Sequence, residues 1–110
     1  MNIMKIVLKL KPDELRALVM AFERTLKNEG EIGNRMDAII EVMMLKFYKK
    51  LKEKSILMDK PTRLSVPVEY AIAFCEYWEQ IPFDTTEFVG HVLLKTLNHF
   101  NQQTARFYYY

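Results

Sequence analysis

Met4-Lys5-Ile6-Val7-Leu8-Lys9-Leu10-Lys11-Pro12-Asp13-Glu14-Leu15 changes its periodicity at a single proline. Before Pro12 the side chains of Met4, Ile6, Leu8 and Leu10 alternate with Lys5, Val7, Lys9 and Lys11, the two-residue period of a strand with one buried face. Lysines on the opposite face suit a strand that meets water or lies at a sheet edge. Pro12 then presets the φ of a first helical turn, and Asp13 and Glu14 place negative charge at the positive end of the helix dipole. The pattern predicts a strand running directly into a helix over 12–27, with Leu15, Leu18, Val19, Phe22 and Leu26 as its buried stripe. Asn28, Gly30 and Gly33 favour irregular backbone and end it.

The same plan returns at an offset of 56 residues, from Leu64 to Trp78. In that register Leu8 corresponds to Leu64, Leu10 to Val66, Asp13 to Glu69, Ala17 to Ala73, Leu18 to Phe74, Val19 to Cys75 and Phe22 to Trp78. Only the Leu8 and Ala17 pairs are identities, so a repeat of two β-α-α units, 1–55 and 56–110, stands beside chance likeness of two strand-to-helix units.

Between these segments a helix is predicted over 34–54. Met36, Ile39, Ile40, Met43, Met44, Phe47 and Leu51 form its sustained face, and Ala38, Val42, Leu45 and Tyr48 lie off that stripe. Such all-round apolarity predicts a central helix covered on more than one side. Residues 55–60 read as a connector, and Thr62, Leu64, Val66 and Val68 as a short second strand that Pro67 confines to an edge or terminates. In a third helix over 68–81, Tyr70, Ala71, Phe74, Cys75, Tyr77, Trp78 and Ile81 share one side, and Glu69, Glu76 and Glu79 the other. Pro82 stops it, and Asp84 with Glu87 resembles the capping box of a fourth helix whose core side is Phe88, Val89, Val92, Leu93, Leu97 and Phe100. The expected architecture is α+β and mostly helical, in the order β-α-α-β-α-α, with the strands paired as an antiparallel ribbon. At 110 residues the chain fits a single domain, 1–110.

Half of the residues are apolar, 27% are charged and three are Gly, the composition of an ordered helical protein. The single Cys75 forms no internal disulfide, and lysines interrupt the apolar start where a secretory signal would be continuous. No run of eighteen apolar residues occurs, so no membrane span is expected and the cytoplasm is the expected location. The net charge of +2 conceals an asymmetry, since residues 1–55 carry twelve bases against eight acids and residues 56–110 carry four against six. Opposed blocks of this kind attract one another within a molecule or between protomers.

Residues with chemical potential are few. Glu87, His91, Lys95 and His99 follow at four-residue steps on one helix face, but the Lys95 charge opposes a cation there, and a solvated face supported by i,i+4 contacts is the plainer reading. Ser55 and Ser65 lack a nucleophile-elbow glycine pattern, and Cys75 reads as a small core residue. Gly30-Glu31-Ile32-Gly33 has neither the spacing nor the Lys of a phosphate loop. No catalytic, metal or cofactor site is therefore assigned.

Two association surfaces are expected instead. The first is apolar: Met43, Met44 and Tyr48 of the second helix with the aromatic terminus Phe107, Tyr108, Tyr109 and Tyr110, which would join a second copy or another protein. The second is basic: Lys46, Lys49, Lys50, Lys52 and Lys54, which would contact nucleic acid, although the wheel scatters these lysines and the helix dipole alone favours cations in a last turn. The leading expectation is a non-catalytic protein-interaction or accessory protein acting as a homodimer, with a small nucleic-acid-associated protein as the alternative.

Overall fold

The computed structural model describes residues 5–26, 35–57 and 59–108. Their order is β1 (Lys5–Leu10), α1 (Pro12–Leu26), α2 (Arg35–Leu57), β2 (Thr62–Pro67), α3 (Val68–Glu79) and α4 (Phe88–Tyr108). The strands pair antiparallel in a two-stranded sheet, giving the mostly helical β-α-α-β-α-α plan expected from periodicity. Ile6, Leu8 and Leu10 of β1 and Leu64 and Val66 of β2 are buried, and the alternate positions face water. The register sets Leu8 opposite Leu64 and Lys9 opposite Arg63. A two-fold axis through the Leu8–Leu64 pair would produce that register; this is symmetry of the pairing alone.

Each helix start has its own local cause. The Lys11 carbonyl accepts the first helical bond of α1 from the Leu15 N–H at 2.9 Å, and Glu14 Oε1 reaches back to accept the Lys11 N–H at 2.9 Å, the return half of a capping box. Helix α3 follows β2 without a linker, on the extended backbone of Pro67 (φ −55°, ψ 143°). Before α4, Asp84 Oδ1 accepts both the backbone N–H and the hydroxyl of Thr86, at 2.9 and 2.6 Å, and so fixes a turn rather than the helix itself. The carbonyl of Glu87 receives the His91 N–H, and the Glu87 carboxylate binds Arg24 instead of returning to Asp84, so the expected capping box is replaced by a capped turn. This turn lies against the first turn of α4 where only Gly90 fits, because a Cβ at that position would run into the Asp84 carbonyl.

Helix α1 packs on α2 and α4, and α3 packs on the same two, so each helix has two principal neighbours. Across the middle, the Phe22 ring of α1 meets Phe47, Tyr48, Phe74, Tyr77 and Trp78, with centroids 5.4 to 6.3 Å away. Phe47, Phe74, Trp78 and Phe100 are buried, as is the whole predicted stripe of α1. Three expectations need correction. Helix α2 is peripheral rather than central: it touches α1 and α3 and leaves Ile39 and Val42 51% and 52% exposed. Phe88 is 52% exposed, because the buried face of α4 is centred on Val92, Leu93, Thr96, Leu97 and Phe100, and Phe88 lies to one side of it on the wheel. Helix α2 also continues through Ser55–Leu57, where a connector was expected, and the Ser55 hydroxyl folds back to donate to the Lys52 carbonyl at 2.7 Å.

Candidate functional site

Between α2 and α3 runs an open groove of about 480 Å³, lined by Ile39, Ile40 and Met43 on one side and by Ile72 and Ala73 on the other, with Glu69 and Glu76 completing it. Its walls follow from two helical patterns. On α2, Ile39, Val42, Lys46 and Lys50 fall three or four residues apart on one exposed side, apolar in the first turns and cationic in the later ones. On α3, Ile72 sits within the acidic arc of Glu69, Glu76 and Glu79, which are exposed. None of these lysines and glutamates takes part in the ion pairs of the described residues, which join Arg24 to Glu87, Lys52 to Glu23 and Lys95 to Glu14. The face therefore holds a water-exposed apolar channel with unpaired cations along one helix and unpaired carboxylates along the other.

The residues expected to form an association surface divide here. Met43 lines the groove, whereas Met44 is 0% exposed and presents nothing to a partner, since it lies on the side of α2 that faces the core. Tyr48 is half-buried against Phe22, and its hydroxyl donates to Glu23 Oε2 at 2.9 Å. The side chains of Phe107 and Tyr108, and residues 109–110, lie outside the described part of the structure. Ile39 and Ile72 line the groove, where Met44 was expected to lie; an isoleucine inside an otherwise acidic arc was the signal for Ile72.

The basic segment is divided, with Lys46 and Lys50 on the exposed side of α2 described above and Lys52 turned toward α1. Lys52 Nζ lies 3.2 Å from the Tyr48 hydroxyl and 3.4 Å from Glu23 Oε2, and the first of these, then the second, raises its pKa. Lys46, Lys49 and Lys50 are exposed and Lys54 is half-buried.

Nor does the run on α4 converge on a ligand. Glu87 binds Arg24 at 3.2 Å, His99 Nε2 donates to the Val7 carbonyl at 2.8 Å, and Lys95 Nζ donates to Glu14 Oε2 at 2.8 Å. Burial pushes the Glu14 carboxyl upward, but the hydrogen bonds from Lys95 and the Lys11 N–H, with the charges of both lysines, outweigh it and hold the group below its ordinary range. Glu14, Lys95 and His99 line a second groove of about 320 Å³ between β1 and α4, each already committed to a structural bond. Among the described residues no three of His, Cys, Asp and Glu come together as a metal-binding group, and no helix is long and apolar enough to cross a membrane. Burial first, then the charges of Glu79 and Glu76, pushes the Cys75 thiol up to about 11. A thiol so placed stays protonated near neutrality and is a poor nucleophile.

No protein-family model, curated protein or solved structure matches this chain. Any functional reading therefore starts from the groove itself.

Proposed function

We propose that this protein is a non-catalytic interaction protein of the cytoplasm that acts as a homodimer, with the α2–α3 groove closed by the same groove of a second copy. The observation that carries the reading is the arrangement of charge about an exposed apolar channel: lysines unpaired on α2, glutamates unpaired on α3. In a two-fold interface each patch meets itself in reverse. With the axis running along the groove, the Lys46 and Lys50 side of one protomer faces the Glu69 and Glu76 side of the other, and the contact is made twice. Ile39, Met43 and Ile72 would leave water at the centre, where burial of apolar area supplies most of the free energy of association. Charge meets charge at the rim, where it fixes orientation more than affinity. The absence of catalysis is supported by the high pKa of the Cys75 thiol and by the structural bonds that occupy Glu14, Lys95 and His99.

Sedimentation equilibrium at micromolar concentration tests the proposal. The wild-type chain should sediment as a dimer, and Ile72→Glu, which adds charge to the centre of the groove, should sediment as a folded monomer. A wild-type monomer at high concentration would end the homodimer reading.

A further inference from the structure

The outward positions of the ribbon are Lys5, Val7 and Lys9 on β1 and Arg63 and Ser65 on β2, all exposed to water, with the half-buried Pro67 opposite Lys5. Lys9 stands directly opposite Arg63. Side chains at opposed positions lie about 4.5–5.5 Å apart at Cβ, and like charges there destabilise the pairing. No carboxylate occupies an outward position, and none of the three cations takes part in the ion pairs of the described residues. Lysine on an exposed strand blocks edge-to-edge pairing, which accounts for Lys5 and Lys9 taken singly. It does not account for Arg63 across from Lys9, because a glutamate at 63 would guard the edge equally well and add a favourable cross-strand pair.

We infer that this ribbon face binds the phosphate backbone of duplex nucleic acid without reading its sequence. Lys5 and Lys9 lie four residues apart, roughly 13 Å along the strand, a length that spans about four phosphates at roughly 3.4 Å of duplex axis per strand phosphate. Arg63 adds a planar donor fork beside Lys9, suited to phosphate oxygens. A phosphate between Lys9 and Arg63 turns their repulsion into attraction, so the bound state regains what the free fold gives up. A lipid surface fits less well: surface-binding elements insert a broad apolar face, and Val7 is the one apolar side chain among the exposed outward positions. A single strand would be held by stacked aromatics, and these positions carry none. The site lies on the strands, apart from the α2–α3 groove, and the sequence-level candidate on α2 plays no part in it.

The test is fluorescence anisotropy of a short labelled DNA duplex titrated with the full chain. Three neutralised phosphates predict a slope of about −2.7 for the logarithm of affinity against that of salt, a loss of roughly forty-fold between about 50 and about 200 mM. The triple variant Lys5→Gln, Lys9→Gln, Arg63→Gln should bind at least about tenfold more weakly at the lower salt and flatten the slope. Its melting temperature should be no lower than that of the wild type, which separates loss of binding from loss of fold. Replacing Lys49 and Lys54, which lie outside the proposed dimer contact, by Gln should leave both affinity and slope unchanged. Absence of salt-sensitive binding at low salt, full binding by the ribbon variant, loss of binding in the α2 variant, or tighter association with phosphatidylserine vesicles than with duplex would each overturn the inference.

Discussion

Trp78 is enclosed by Phe22, Phe74, Tyr77 and Phe83, the last two edge-on to it at 5.2 and 6.1 Å. Its indole Nε1 has no acceptor, so the residue contributes through packing rather than through a hydrogen bond. Trp78→Ala should cost ~3–5 kcal/mol in chemical denaturation, a cost set by cavity formation. Native Trp78 emission should be blue-shifted, and a water-like spectrum would contradict the burial. Glu14 offers a test through pH. Its folded pKa is depressed, so the stability it adds is present above the unfolded pKa and is lost as the pH falls through the lowered folded value. Unfolding midpoints of the wild type and Lys95→Met should differ near neutrality and converge at a pH low enough to protonate the carboxylate in the folded state. A constant difference at both pH values would contradict that linkage. The apolar part of this residue-level picture was legible, because Leu15, Phe22 and Phe74 follow a helical period. The buried polar groups were not: Thr96 and Thr104 enter the core by donating to the carbonyls of Val92 and Phe100 at 2.8 and 2.7 Å, and an isolated threonine in a sequence gives no sign of such a bond.

At the scale of elements, both strand-to-helix junctions could be read directly, since a change of period at Pro12 and near Pro67 is a backbone property of the local sequence. What escaped was the geometry of connections. The approach of the 84–87 turn to α4 depends on the missing side chain of Gly90, and nothing in the flanking residues announces a long-range need for glycine. Gly90→Ala should therefore be destabilising even though alanine is the better helix former by about 1 kcal/mol. A melting temperature equal to or above that of the wild type would show that the turn yields freely. The apolarity of α2 was also legible, but not its meaning. The same all-round pattern describes a helix buried on every side and a helix buried on one side with an exposed apolar face on another. The distinction depends on how many neighbours the topology supplies, and here α1 and α3 leave Ile39 and Val42 in water.

For the whole molecule, the proposed homodimer completes the exposed α2–α3 face with a second copy of the chain. The halves of the chain differ in charge, and this was visible as opposed basic and acidic blocks; which helices carry those blocks side by side around an apolar groove required the fold. Association through this face should weaken with added salt only modestly, because apolar area supplies most of the free energy and the rim charges chiefly orient the partners. The most direct measurement is a charge exchange between protomers, followed by sedimentation. Lys46→Glu with Lys50→Glu places acid against acid in its own dimer, and Glu69→Lys with Glu76→Lys places base against base. Each variant alone should be monomeric, and an equimolar mixture should form a one-to-one dimer, since both contacts of the two-fold interface are then restored. Dimers of either variant alone, or a mixture that stays monomeric, would contradict the account.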